Sequence, residues 1–153
     1  TMGGTPWNYT FLSRLQHRHD ICFVIAGGDT GANLHNQGNV VVLDTNSGIF
    51  HPDLIAAADA VIGTVGYSTL AEVYQAGVPF GYIARSHFRE SEVLIRYITE
   101  NMPGLPVTEE EFLDGSWLTR KLPALLEMPR LSRAARSGAS QTAAFITSLI
   151  QTL

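Results

Sequence analysis

Four short apolar runs, separated by stretches with helical patterning, constrain this chain more than any other feature. They are ICFVIAGG (21–28), NVVVLD (39–44), DAVIG (59–63) and PFGYIA (79–84). Short length, β-branched and aromatic residues, and Gly, Asp or Pro at their borders are the marks of strands buried on both faces. LPVT (105–108) is a weaker fifth candidate. Ahead of the runs the spacing predicts a helix over 6–18, between them helices over 52–58, 68–76 and 90–101, and beyond them helices over 109–114, 117–127 and 130–152. Strand and helix in alternation, joined by short connections, build a parallel sheet covered by helices on both faces. The expected fold class is therefore α/β, a doubly wound sheet, with 1–153 forming one domain.

The last helical stretch has the plainest periodicity. Leu131, Ala135, Gly138, Thr142, Phe145, Leu149 and Leu153 recur at three- and four-residue steps and are expected to form one packing stripe. Cys22 is the single cysteine and lies within the first apolar run, so it is expected to serve as a small core hydrophobe. A lone cysteine forms no internal disulfide, which fits a reducing, cytoplasmic setting. No apolar stretch approaches the roughly 18 residues of a membrane span. A formal net charge of −4 argues against nucleic-acid binding driven by bulk charge. Arg120, Lys121, Arg130, Arg133 and Arg136 gather near the C-terminus and are expected to lie on a solvated face. His17, His19, His35 and His51 show no ligand-like spacing, so no metal site is expected. Trp7 and Trp117 follow loop-to-helix junctions and most simply anchor packing.

In doubly wound sheets ligands bind beyond the C-terminal ends of the strands. The glycine-rich stretches fall there. In TMGGTPWNY, Thr5 suits an N-cap and Pro6 the first helical position, and Gly3 and Gly4 permit a tight turn. Two accounts fit: an ordinary turn into a capped helix, or a helix start that receives an anion. In GTVGYSTLAEVYQAGVP (63–79), Ser68 or Thr69 would cap a helix, and Thr69-Leu70-Ala71-Glu72 spells a capping box. That account explains Glu72 but not Gly63, Gly66 and Ser68. The other account gives the amides of 66–69 to a phosphate and the Glu72 carboxylate to a pair of vicinal hydroxyls.

HPDLIAAADAVIGTVGYSTLAEVYQAGVP (51–79) resembles the signature of the GT-B glycosyltransferases. It shares an apolar helix, an Ala-Asp strand start, a Gly-x-x-Ser/Thr-x-x-Glu turn and a Gly-Val-Pro. The similarity reaches both the bacterial transferases that add N-acetylglucosamine to the peptidoglycan lipid precursor and the plant-type UDP-sugar transferases. It is dense from Phe50 to Glu92, and TMGGTP resembles the family's first glycine-rich loop. The resemblance implies a Rossmann-like C-terminal, donor-binding domain that takes a UDP-sugar as substrate and needs no separate cofactor. It implies a diphosphate held by Gly3, Gly4, Thr5, Gly66, Ser68 and Thr69, and ribose hydroxyls held by Glu72. Phe50 is placed beside the nucleobase, with a core aromatic as the alternative. Glu90, Ser91 and Glu92 stand where the family holds the donor sugar, without its amide pair. Thr64 stands where plant-type members carry a phosphate-binding His, and Arg85 or His87 would have to supply that charge. The family's other half carries the acceptor site and the catalytic base, so no catalytic residue is expected in this chain.

Two further expectations follow. An acceptor-binding N-terminal domain or a partner subunit completes the enzyme, and the last helix is a candidate for an oligomeric contact. The loop at Gly3 should follow a buried strand that is central to the sheet, yet only Thr1 and Met2 precede it. A gap is therefore expected between the runs at 21–26 and 59–63, filled by upstream residues or by another segment. Two other functions remain open beside the transferase: a non-catalytic nucleotide-sugar-binding or regulatory module, and a nucleotide-sugar epimerase of similar architecture.

Overall fold

A computed structural model describes residues 2, 10–27, 38–44, 47–85, 88–132 and 138–151. Five strands are formed among them: β1 (Phe23–Ala26), β2 (Val40–Leu43), β3 (Val61–Thr64), β4 (Phe80–Ile83) and β5 (Gly104–Pro106). β1, β2 and β4 fall inside their apolar runs, and β3 extends one residue past its run, to Thr64. β5 lies one or two residues earlier than LPVT. Every pairing is parallel: Phe23 opposite Val40, Val61 opposite Phe80 and Phe80 opposite Gly104 open the three registers. The fold is an α/β architecture of parallel strands and helices, as a Rossmann-like domain is.

The helices are α1 (Leu12–Gln16), α2 (His51–Ala57), α3 (Tyr67–Ala76), α4 (Ser91–Asn101), α5 (Glu109–Asp114), α6 (Trp117–Arg120), α7 (Leu122–Leu126) and α8 (Gly138–Gln151). Two apolar clusters assign most of them to the two sides of the sheet. On one, Ile55 of α2, Leu70 and Val73 of α3 and Leu94 and Ile98 of α4 close over Val61, Phe80 and Tyr82. On the other, Phe11, Leu15, Phe112, Trp117 and Leu122 close over Val42 and Ile83. An aromatic trio anchors this second side: Phe11 meets Phe112 edge-on at 5.1 Å and Trp117 at 5.7 Å. Trp117 thus packs as expected, whereas Trp7 lies outside the described residues.

The structure corrects three expectations. The helix expected over 117–127 is two, because Pro123 stands in the first turn of α7 and restarts the chain there. Cys22 is exposed rather than buried, since β1 begins one residue later and one edge of it is uncovered. The stripe on α8 is not packed: none of its residues is buried, and Phe145 is 63% exposed. Ala135 and Leu153 of that stripe lie outside the described residues. Among the basic residues, Lys121 pairs loosely with Glu111 at 3.8 Å. Arg130 donates to the carbonyls of Ala56 and Ala76, which ties the chain after α7 to the ends of α2 and α3. Arg133 and Arg136 are not described.

The strands form two hydrogen-bonded groups, β1-β2 and β3-β4-β5. Among the described residues no strand lies between β1 and β3, where the sequence leads one to expect a gap. A cavity of about 380 Å³ occupies it, lined by Phe23 to Ala26 on one side and by Val61 and Ile62 on the other, with Met2 and Trp117 contributing.

Candidate functional site

The candidate site is assembled at the C-terminal ends of β3 and β4. The Val65 N–H donates to the Ile83 carbonyl, so the extended backbone persists one residue past β3. Gly66 then makes the whole turn, in an extended conformation, as the N-cap of α3. The helix therefore starts at Tyr67, earlier than Ser68 or Thr69 would start it as caps. Glu72 falls in its second turn, and the expected capping box is not formed. No described side chain caps α3, and its first turn carries no acidic residue. The positive end of its dipole is accordingly left without a carboxylate from that turn.

Gly66 itself has a plain geometry. Its φ of −157° is accessible to any residue, and a Cβ built there meets nothing within 4 Å. Neither backbone conformation nor packing among the described residues asks for glycine at this position. Ser68 is exposed and Thr69 is buried.

Glu72 is engaged from the side. His51, the first residue of α2, places Nδ1 2.5 Å from Glu72 Oε2. With an ionised carboxylate the imidazole N–H is the donor. The preceding residue, Phe50, is 67% exposed and N-caps α2, which removes the core-aromatic alternative. Phe50, His51 and Glu72 thus share one corner. Sequence reasoning passed over His51 because it was weighed only as a metal ligand; its position directly after Phe50 was the available signal.

On the other side of the turn, buried Thr64 accepts a hydrogen bond from Arg85 Nη2 at 3.3 Å. The Arg85 guanidinium also lies over the Phe88 ring, 5.2 Å from its centroid. Ser91 Oγ donates to the Arg85 carbonyl at 3.1 Å, so this hydroxyl braces the loop that presents the guanidinium. Glu90 precedes α4 as its N-cap residue, Glu92 lies in its first turn, and both are exposed. Gly3, Gly4, Thr5 and His87 lie outside the described residues. Among those described, no group of three or more His, Cys, Asp or Glu side chains is arranged to hold a metal ion. No described helix is long and apolar enough to cross a membrane.

These features define a parallel α/β domain with a glycine turn, a cation and a carboxylate gathered at one end of its sheet. Over 115 residues the chain is 27% identical to the L-arabinokinase of Arabidopsis thaliana. The alignment covers 75% of this chain and 11% of that protein, so the chain spans a small part of the relative it matches. No protein-family model matches the chain. No solved structure matches it either.

Proposed function

We propose that this domain binds the nucleoside diphosphate of a nucleotide sugar, UDP-linked, as the donor half of a glycosyltransferase that passes a hexose or N-acetylhexosamine to an acceptor held elsewhere. The observation that carries the reading is Gly66, a glycine that neither its φ nor its described neighbours require. Close approach of a ligand to the backbone is a reason for glycine that leaves this geometry. The diphosphate would sit before the amides of Tyr67, Ser68 and Thr69, and the resemblance adds Gly3, Gly4 and Thr5 to its binding residues. Arg85, held by Thr64, would supply the positive charge that a hydroxyl alone lacks. Glu72, oriented by His51, would accept from the ribose hydroxyls, and Phe50 would cover the base. Glu90 and Glu92 would face the sugar.

In this role the domain contributes electrostatic stabilisation of the diphosphate leaving group as negative charge grows on it. The catalytic base would come from the complementary half or a partner subunit. A second reading is a nucleotide-sugar-binding module without transferase activity. It is favoured by the match to 11% of a protein whose name denotes a kinase acting on a sugar.

Calorimetric titration with UDP, GDP and dTDP tests the common core of both readings, on the chain and on Gly66→Ala. Alanine is unstrained at this φ but a poorer N-cap than glycine, so it should cost the fold no more than about 1 kcal/mol. Its methyl group should nevertheless weaken UDP binding by about tenfold or more, equivalent to about 1.4 kcal/mol. Wild-type affinity in a folded Gly66→Ala protein, or no nucleotide binding by the folded chain, would overturn the assignment. Sugar transfer from UDP-sugar once the complementary half is supplied then separates the transferase from the binding module.

A further inference from the structure

α2 and α3 are fastened to each other at two points. At one, His51 Nδ1 meets Glu72 Oε2. At the other, the Arg130 guanidinium spans the two helix ends: Nε donates to the Ala76 carbonyl at 3.1 Å and Nη2 to the Ala56 carbonyl at 2.5 Å. The last carbonyls of a helix lack partners within it, and a cation is favoured beside them. Neither α2 nor α3 carries a basic residue in its own last turn. One guanidinium from far along the chain therefore serves both. Its neighbour holds it in place. The Leu131 N–H donates to the Gly77 carbonyl at 2.9 Å, and the Leu131 carbonyl oxygen lies 1.8 Å from the place a Gly77 Cβ would take.

We infer that Arg130 is a positioning residue for the Glu72 carboxylate, acting through α2 and His51. α2 has only seven residues, too few to hold a helix by its own hydrogen bonds. Ile55 is 3% exposed and anchors α2 in the apolar cluster, but apolar packing is non-directional. Orientation about that anchor is left to the two polar fastenings. Along α2, between His51 and Ala56, they stand about 7.5 Å apart; along α3, between Glu72 and Ala76, about 6 Å. With both in place, the start of α2 is kept against α3. Without Arg130 the far end of α2 is released, the helix turns about Ile55, and the imidazole at its start moves off the carboxylate. Arg130 thus acts on the site without touching a ligand. That the carboxylate meets ribose rests on the function proposed above; its dependence on Arg130 does not.

The test has one arm without ligand and one with it. In the first, side-chain nitrogen NMR at about pH 8.5, where an imidazole of ordinary pKa is neutral, reads the tautomer of His51. The bond to Glu72 holds the proton on Nδ1. Arg130→Ala should raise the share of the Nε2–H tautomer by about twofold or more. Arg130→Lys, which keeps the charge but not the planar fork, should fall between. In the second arm, calorimetry compares UDP with 2′,3′-dideoxy-UDP, which offers Glu72 no hydroxyls. Arg130→Ala should weaken UDP binding by about three- to tenfold and leave the dideoxy analogue unchanged. In a His51→Ala background the same substitution should weaken UDP no further. An unchanged tautomer in Arg130→Ala overturns the inference whether or not UDP binds. Equal losses for the two nucleotides overturn it too, since Arg130 would then act on the fold as a whole. Failure of the folded chain to bind UDP overturns the nucleotide reading instead, and the tautomer alone then decides on Arg130. Should Arg130→Ala not fold, Arg130→Lys is read in the same two arms against the same outcomes.

Discussion

His51 and Glu72, twenty-one residues apart in the chain, meet with 2.5 Å between Nδ1 and Oε2. The pair fastens the start of α2 to the second turn of α3 and fixes which way the carboxylate faces. Its side chains are 34% and 23% exposed, so its contribution to folding should be small, at most about 1 kcal/mol. Its weight should fall on binding. Glu72→Gln is expected to lower UDP affinity by roughly ten- to a hundred-fold, the worth of about 1.5–3 kcal/mol for a hydrogen bond to a charged group. His51→Ala leaves the carboxylate in place but unsteered and should cost less. A double-mutant cycle by calorimetry should show that the two losses are not additive.

Asn39 holds three backbone carbonyls with one amide group. Its Nδ2 lies 2.9 Å from Leu15 O, 2.7 Å from Arg18 O and 2.9 Å from Ile21 O. With two protons for three acceptors, at least one proton is shared. This knot ties the end of α1 and the entry to β1 against the entry to β2. Asn39→Ala strands partly buried acceptors and should destabilise the fold by about 1–3 kcal/mol. Asn39→Asp, which supplies acceptors where donors are needed, should cost at least as much. Denaturant titration of both variants measures this.

Gly77 closes α3 at a φ of 68°, and a Cβ there would lie 1.8 Å from the Leu131 carbonyl oxygen. The close approach is part of a hydrogen bond, since the Leu131 N–H donates to the Gly77 carbonyl at 2.9 Å. Left-handed backbone alone costs an ordinary residue about 1–2 kcal/mol, and here the methyl group must also displace backbone. Gly77→Ala should therefore destabilise by more than about 2 kcal/mol. Gly66→Ala, three residues beyond Gly63 in the same motif, should not. A thermal melt of the two variants side by side separates a structural glycine from one set aside for a ligand.

The motif around these glycines was legible as the turn from a strand into a helix, but the helix boundary was not. Thr69-x-x-Glu72 and Thr108-x-x-Glu111 are spelled alike, yet only the second forms the capping box, with Thr108 Oγ1 accepting from the Glu111 N–H at 3.0 Å. What decides between them is the exit of the strand. The Val65 N–H bond to Ile83 keeps the backbone extended through residue 65, so Gly66 must cap α3 and Glu72 is carried beyond reach of the first turn. Strand positions and the gap in the sheet followed from local patterning and the doubly wound order. The His51 contact did not, because it depends on how α2 lies against α3. Cys22 and the α8 stripe misled for a related reason. Apolar spacing shows which face a segment can bury, not whether anything comes to cover it.

Asp20 reports on a surface pair. Arg18 grips it through Nε and Nη2, each 2.9 Å from one carboxylate oxygen. Hydrogen bonding from Arg18 and from the backbone brings the Asp20 carboxyl down from 3.8 to about 2. A carboxyl lowered in the folded state adds stability that is fully present above its unfolded value and is lost as pH falls through its folded one. The loss should thus fall between pH 3.8 and about 2. An NMR titration should find the Asp20 midpoint near the lower figure, and Arg18→Gln should move it back toward the upper one.

Division of the sheet has a consequence for how the molecule loosens. β3, β4 and β5 share two registers, and the cluster beneath α2, α3 and α4 seals one side of them. β1 and β2 form only a two-stranded ribbon, a unit that is marginal on its own in water. It is retained by the Asn39 knot and by contact with Leu15 and the aromatic trio. Thermal fluctuation should then release the ribbon before the three-stranded part, as a separate cooperative unit.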